Sequence, residues 1–160
     1  MKILVINAGS SSIKYQVFDL GAVEQSLCSG IVEKIGESTG RLIHTSTMPG
    51  HEGEIRKEQP VPNHEAGMAL IVEALQDSAR GVIHDKTEIV GVGHRVVHAG
   101  EAFSDAVQIT PAVFSAIQDH VALAPLHNPP NIIGIEAARE FFPDAMQTAV
   151  FDTAFHQTIR

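Results

Sequence analysis

The stretch Leu4–Lys14, which reads LVINAGSSSIK, decides the fold because it joins two strand-like runs through a small, hydroxyl-rich loop. The run before the loop is apolar. After the loop, Ile13, Tyr15 and Val17 alternate with Lys14, Gln16 and Phe18, which is the two-residue period of a β-strand. The sequence therefore predicts a β-hairpin whose turn carries the polar residues.

The polar groups of this loop suit a polyphosphate ligand. A Walker-type loop needs a Gly-Lys-Ser/Thr ending that opens a helix, and neither feature is present here. Instead, Gly9 lets backbone N–H groups approach an anion, the serines Ser10–Ser12 offer hydroxyls, Asn7 offers an amide and Lys14 a positive charge. An ordinary Ser/Gly turn with a solvated lysine is the alternative, and the whole string makes it less favoured.

The segment Asn7–Lys14 resembles the N-terminal signature of the acetokinase (acetate kinase) family, within the superfamily of acetate and sugar kinases, Hsp70 chaperones and actin. Two further segments, Gly93–Glu101 (GHRVVHAGE) and Val150–His156 (VFDTAFH), agree with it in order and approximate position. The resemblance covers residues 1–160 and implies an N-terminal domain whose last residues lead toward a C-terminal domain absent from this chain. Members of the family are more than twice this long, and their later His-Leu-Gly-Asn-Gly segment is missing here.

Length and composition agree with one soluble domain. The 160 residues are 44% hydrophobic, enough to bury a sizeable core, and the lone cysteine, Cys28, cannot form an internal disulfide. The apolar run before Asn7 is too short for a secretory signal, and no run approaches the roughly 20 residues that span a bilayer. A net charge of −8 argues against a nucleic-acid surface. We expect a cytoplasmic protein with no membrane or nucleic-acid partner.

A β-rich first third followed by alternating helices and strands predicts an α/β organisation. The resemblance implies a ribonuclease-H-like (actin-like ATPase) domain, with a mixed sheet flanked by helices. The polar stretch Thr45–Asn63 has room for another hairpin. The predicted strands cover residues 2–7, 13–19, 26–35, 88–97 and 148–151. The predicted helices run from an Asn63 cap to about Arg80, from Thr110–Pro111 through Ile117, and from Asn131 to Phe141, where Pro143 ends the last one.

Arg95 lies in an apolar, strand-like segment, where a guanidinium is costly unless it is paired or reaches a solvent-filled site. In a strand, Arg95 and Val97 share one face while His94, Val96 and His98 share the other, so the arginine would lie beside an apolar wall. That arrangement suits a short carboxylate; a structural arginine bound to an acidic neighbour is the alternative. The resemblance implies that Arg95 orients acetate and its phosphorylated product, and that Val97 forms part of the methyl pocket.

Two histidine positions invite a functional interpretation. His94 and His98 have a spacing that binds zinc on a helix, but the local pattern favours a strand, so a zinc site is not favoured. His127 lies in Ala124–Pro130 (APLHNPP), where prolines stiffen the loop. The resemblance implies that His127 hydrogen-bonds the phosphoryl group in transit and that Leu126 helps close the acyl pocket; a capped loop between helices is the alternative.

Asp152 directly follows the apolar run Thr148–Phe151, and ligands in open α/β sheets commonly bind at the carboxyl ends of strands. The resemblance implies a catalytic aspartate. Its plausible roles are to hold a magnesium-bound water or to align the nucleophile, since acetate is already ionised and has no proton to lose. An N-cap for the segment beginning at Thr153 is the alternative, and both can hold together.

The activity implied by the resemblance is reversible transfer of the γ-phosphoryl of ATP to acetate, giving acetyl phosphate and ADP. The implied cofactors are ATP/ADP and Mg²⁺, with Mn²⁺ as a substitute, and Asn7 would lie close to the metal. Phosphoryl transfer requires in-line positioning and cations around the moving group. The residues that could supply these, beside the catalytic Asp152, are Asn7, Ser10, Ser12, Lys14, Arg95 and His127.

The resemblance also implies that the adenosine site and a second arginine and histidine belong to the missing domain. We therefore expect residues 1–160 alone to be inactive or nearly so, and the full-length protein to be a homodimer. Two other functions stay open. One is a kinase of the same family acting on propionate or butyrate, because the pocket depends on Val97, Leu126 and residues beyond 160. The other is a non-enzymatic actin- or Hsp70-like module, against which Arg95 beside Val97 argues.

Overall fold

An eight-stranded mixed sheet is the frame of the computed structural model, which describes residues 1–21, 23–96, 107–109 and 129–151. The strands are β1 (Lys2–Ala8), β2 (Ser12–Leu20), β3 (Glu24–Glu33), β4 (Gly40–Ser46), β5 (Gly53–Gln59), β6 (Ile89–Val96), β7 (Val107–Gln108) and β8 (Met146–Phe151). In that part of the chain the sheet order is β5-β4-β3-β2-β1-β6-β8-β7. The pairs from β1 to β5 are antiparallel, as is the pair of β7 with β8, whereas β6 runs parallel to both β1 and β8.

The first hairpin forms as the sequence predicts, with Ala8 opposite Ile13 at its turn. The second predicted hairpin is also present, but it is longer than expected: β4 and β5 pair from Gly40 opposite Gln59 to Ser46 opposite Gly53. The prediction missed the start of β4 because its buried positions include glycine, histidine and serine as well as leucine.

Strand β3 begins and ends earlier than the predicted 26–35. It stops at Glu33 because Lys34 takes a left-handed backbone conformation, with φ of 60°. Ile35 is buried in the turn that follows. Its N–H donates across to the first hairpin, to the Ser11 carbonyl oxygen at 2.9 Å. The turn after β3 is thus tied to the polar loop.

Two α-helices are described, α1 (His64–Leu75) and α2 (Pro129–Phe141). The Asn63 cap of α1 is confirmed, since its side-chain oxygen accepts from Ala66 N–H at 2.8 Å. The predicted end near Arg80 is wrong. The helix ends at Leu75, after which the Asp77 carboxylate accepts from the Ala79 and Arg80 N–H groups in a turn that competes with helix.

Helix α2 begins at Pro129, slightly before the predicted Asn131, and it ends at the predicted Phe141. The helix predicted from Thr110–Pro111 lies outside the described residues. In the described ranges, neither helix has the length and apolarity needed to cross a membrane. Both helices serve as crossovers, since α1 follows the antiparallel strands and precedes β6, while α2 precedes β8.

Helices α1 and α2 contact each other and pack on the same face of the sheet. Fully buried residues of α1, Met68, Ile71 and Leu75, meet alternate strand residues such as Leu4 and Ile13. This single layer of helix on sheet is the hydrophobic core. The opposite face of the central strands is left uncovered by either described helix, and the predicted site residues of β1, β2 and β6 lie on it.

Candidate active site

A groove of about 690 Å³ lies on the uncovered face of the sheet. It crosses the central strands from β4 to β6 near the hairpin turn. Its walls are largely apolar, with polar groups concentrated at the β1, β2 and β6 side. The lining residues are Val5, Asn7, Lys14, Tyr15, Gln16, Ser29, Gly30, Ile31, Ile43, Thr45 and Arg95.

Three predicted site residues meet in this groove: Asn7, Lys14 and Arg95. Asn7 and Lys14 are directly opposite each other in the β1–β2 ladder, so their side chains share a face. On the other side of β1, Ile6 is in register with His94, which places Arg95 beside Asn7. The pleat that buries the residue before each of these three thus aims all three into the groove.

The charge of the groove is opposite to that of the whole protein. Its described lining contains the cations Lys14 and Arg95 and no aspartate or glutamate, although the chain carries a net charge of −8. Lys14 is exposed and Arg95 is half-buried. The groove can therefore attract an anion at one end and accommodate apolar groups along its walls.

The polar loop between β1 and β2 lies at the end of this groove. Gly9 N–H donates to the Ser12 carbonyl oxygen at 2.8 Å, which closes the turn. Ser12 Oγ lies 3.0 Å from where a Cβ on residue 9 would stand, so a larger residue there would press on the serine. Ser10 is exposed and Ser12 half-buried, and both lie in the loop and its exit rather than in the groove lining.

Beneath the groove, two buried aromatic side chains form a contact that sequence reasoning missed. The Tyr15 hydroxyl donates to His44 Nδ1 at 2.6 Å, and His44 Nε2–H donates to the Arg80 carbonyl oxygen at 3.0 Å. Burial lowers the pKa of His44 and raises the pKa of Tyr15, so both stay neutral. Gly30 faces Tyr15 across the ladder, and a Cβ there would overlap the tyrosine ring.

His94 faces the core, as the predicted alternation requires. Its Nε2–H donates to Gln147 Oε1 at 2.6 Å, and burial lowers its pKa to about 4, with the nearby Arg139 charge acting in the same direction. Within the described ranges, no group of three or more His, Cys, Asp or Glu residues could hold a metal. His98, the other member of the zinc alternative, lies outside the described residues.

Four predicted site residues also lie outside the described residues: Val97, Leu126, His127 and Asp152. Strand β8 is described as far as Phe151, and it pairs with β6 up to Val96. The structure therefore brings together the β1, β2 and β6 residues of the predicted site. Its acyl-pocket, histidine and aspartate positions remain sequence predictions.

The sheet defines the class of protein. An antiparallel meander, β3-β2-β1, continues through parallel β6 and β8 with crossover helices, which is the ribonuclease-H-like arrangement of actin-like ATPase domains. The model of the acetokinase family matches residues 2–160, and the chain belongs to this family.

Individual relatives agree with the family model. Acetate kinase of Maridesulfovibrio salexigens is 51% identical over 160 residues, covering 99% of this chain and 39% of the relative. The structure of Porphyromonas gingivalis acetate kinase matches 98% of this chain and 38% of its own with a TM-score of 0.86 and 41% identity. A propionate kinase from Francisella tularensis matches the same shares with a TM-score of 0.82 and 36% identity. The chain thus spans about two-fifths of the length of these relatives.

Proposed function

We propose that residues 1–160 form the N-terminal domain of an acetate kinase and supply half of its active site. The reaction is reversible transfer of the ATP γ-phosphoryl to acetate, giving acetyl phosphate and ADP. The observation that carries this proposal is the groove in which Lys14 and Arg95 lie beside apolar walls, with no carboxylate in its described lining. An acyl phosphate complements both features, because it has an anionic end and a short apolar group.

At the acceptor end, Arg95 binds the acetate carboxylate. Its guanidinium can donate two parallel hydrogen bonds to the two carboxylate oxygens, which fixes the nucleophile in one orientation. Val97 and Leu126 enclose the methyl group, as the family resemblance implies. The groove residue Val5 supports this assignment, because it pairs with Gly93, two residues before Arg95, and so gives the acceptor end an apolar side chain.

At the donor end, Lys14, Asn7 and the loop serines hold the phosphates. Lys14 lies opposite Asn7 on β1, and Arg95 lies on the other side of that strand, so the two cations would flank the transferred group. Ser10 and Ser12 add donors at the end of the groove. Phosphoryl transfer gains most from such in-line positioning and charge stabilisation. His127 would hydrogen-bond the phosphoryl group, and Asp152 would align the nucleophile.

The described residues fit magnesium that arrives bound to phosphate. Asn7, whose side chain carries an amide oxygen, lines a groove that holds two cations, and the described chain offers no carboxylate cage for a bare ion. Mg²⁺ commonly keeps several waters and takes few protein ligands when phosphates bind it. When bound, it neutralises charge on the phosphates; Asn7 would lie close to it and Asp152 would hold one of its waters. Mn²⁺ has the same preference for oxygen ligands.

The rest of the site comes from a C-terminal domain that this proposal places beyond residue 160. The relatives' greater length supports it. That domain would bind adenosine and supply a further arginine and histidine. The family resemblance extends the proposal to a homodimeric, cytoplasmic enzyme. A propionate kinase is the second candidate, because the propionate kinase from Francisella tularensis shares this fold at 36% identity.

The test is a coupled assay of acyl phosphate formation with ATP, Mg²⁺ and acetate, propionate or butyrate. It compares residues 1–160 with a full-length enzyme that begins with them. We expect activity only in the full-length form, with the highest kcat/KM for acetate. A preference for propionate would select the second candidate. Nucleotide binding without any acyl phosphate would instead indicate an actin- or Hsp70-like module.

A further inference from the structure

Three backbone carbonyl groups of the loop between β1 and β2 accept hydrogen bonds within the described part of the chain. The Ser12 carbonyl oxygen accepts from Gly9 N–H, and the Ser11 carbonyl oxygen accepts from Ile35 N–H. The Gly9 carbonyl oxygen accepts from a side chain, His64 Nε2–H, at 2.6 Å. No described residue accepts from the N–H groups of Ser10 or Ser11. The loop therefore offers two backbone donors, while three of its carbonyl groups, those of Gly9, Ser11 and Ser12, already accept hydrogen bonds.

His64 is well fixed for its contact with Gly9. It is the first residue of α1, directly after the Asn63 cap, and only 8% of it is exposed. One turn further along α1, Gly67 packs against Ile13 at the start of β2. The hydrogen bond connects residues 55 apart in sequence, so it exists only once the helix has docked on the hairpin.

The position of His64 determines how the next peptide group is oriented. A trans peptide is planar, with its C=O and N–H pointing in opposite directions, and the described chain has no cis peptide bond. Because the Gly9 carbonyl points toward α1, the Ser10 N–H points away from the helix layer. Asn7 and Lys14 lie on that side of the sheet.

We propose that His64 is a positioning residue that locks the Gly9–Ser10 peptide so that the Ser10 N–H donates to a nucleotide phosphate. This inference rests on the proposed function, because it concerns the same phosphate-binding loop. Without the imidazole donor, the Gly9 carbonyl would have to find another partner. The peptide could then rotate and turn its oxygen, which repels phosphate, toward the site.

The experiment measures the KM for MgATP, the KM for acetate and kcat in the full-length enzyme, and the Kd for ADP by calorimetry. His64→Leu removes the donor, whereas His64→Gln keeps an amide N–H at a similar reach. Met68→Ala is the matched control, because Met68 is a fully buried α1 residue on the following turn and its apolar side chain makes no hydrogen bond to the described loop.

We expect His64→Leu to weaken ADP binding and raise the KM for MgATP by about 10- to 100-fold, the effect of losing one hydrogen bond to a charged group. The KM for acetate should change little, and His64→Gln should recover most of the loss. Met68→Ala should lower the unfolding midpoint without shifting either nucleotide constant.

Three results would overturn the assignment: unchanged nucleotide constants in His64→Leu, no recovery in His64→Gln, or the same shift in Met68→Ala. Failure of the proposed function would look different. In that case the unmodified enzyme would bind ADP without forming acyl phosphate, and the ADP constants of the variants would still decide the role of His64. Absence of any ADP binding would overturn both.

Discussion

The two faces of the central sheet are built from the same strands yet have opposite chemistry. On the helix-covered face, Ile6, Ile13 and His94 are almost completely buried. The next residue of each strand, Asn7, Lys14 and Arg95, faces the groove. A single peptide step thus separates a core residue from a site residue. This arrangement holds the site on a rigid layer and should make stability and activity separable by mutation.

The largest expected effect is on the groove face, at Arg95. Arg95→Ala removes the fork that orients the acceptor and stabilises charge on the transferred group. We expect kcat/KM for acetate in the full-length enzyme to fall by about 10³- to 10⁵-fold, as for other arginines at phosphoryl-transfer centres. The thermal midpoint should change little, because the side chain is outside the helix-covered core.

Arg41→Ala provides the matched control for Arg95→Ala. Arg41 lies on β4 of the same sheet, is half-buried, and donates from Nε to Glu33 at 2.7 Å, outside the groove lining. Its loss should cost at most about 1 kcal/mol of stability and leave kcat/KM unchanged. Equal losses of activity in the two variants would contradict a specific role for Arg95.

The second prediction concerns the core face. Ile71 of α1 is 0% exposed, and Ile71→Ala should lower the free energy of unfolding by about 2–5 kcal/mol through lost burial and a residual cavity. Urea unfolding of residues 1–160 measures this effect. Below the unfolding transition, kcat of the full-length variant should match the unmodified enzyme. Glu73→Ala is the control. Glu73 is exposed on the same helix and pairs with Lys57 at 2.6 Å, so its loss should lower the free energy of unfolding by less than about 1 kcal/mol.

Some features of the two faces could be predicted from the sequence and others could not. The difference is whether the interacting residues are close together or far apart in the chain. The hairpin and the placement of Arg95 and His94 on opposite faces of the sheet depend on alternation within single strands, which is a local pattern that the sequence shows directly. The Asn63 cap is equally local. The predicted end of α1 failed because the Asp77 turn, a short-range alternative, competes with continued helix.

The contacts that support the site could not be predicted, because they join distant parts of the chain. Tyr15 and His44 meet across two ladders, and His64 reaches Gly9 only when α1 lies on the sheet. Among nine histidines, nothing in the local pattern distinguishes His64 from a surface residue. His44 and His94 are likewise buried and hydrogen-bonded, and their partners also come from distant parts of the chain.

The third prediction uses pH to examine the core face. Burial lowers the pKa of His94 from 6.5 to about 4, so between these values the unfolded chain binds more protons than the folded one. The contribution of neutral His94 to the free energy of unfolding is therefore fully present above pH 6.5. It falls by about 3 kcal/mol as the pH drops toward 4. His44 acts in the same direction, because burial lowers its pKa too.

Urea unfolding of residues 1–160 at pH 7 and at pH 5 measures this dependence. The variant His94→Gln keeps an amide that can hydrogen-bond Gln147 but cannot titrate, so its stability should vary less with pH. The pH dependence that remains in the variant includes the contribution of His44. If the free energy of unfolding of His94→Gln changed between pH 7 and pH 5 as much as that of the unmodified chain, His94 would not be the source of the acid sensitivity.

The smallest expected effect lies where the two faces meet, at Gly30. Tyr15 and Gly30 both reach the groove, and a Cβ on residue 30 would overlap the Tyr15 ring, which would displace the hydroxyl from His44. Gly30→Ala should therefore lower the free energy of unfolding by about 1–3 kcal/mol through overpacking.

Gly93→Ala is the matched control, because a Cβ on residue 93 would have Val5 Cγ2 as its nearest neighbour, at 3.9 Å, which is an ordinary contact. That control should be neutral or slightly stabilising, because alanine restricts the unfolded chain. Equal stabilities for the two variants in urea would mean that the Tyr15 ring moves aside without cost, and that the groove floor is not rigid.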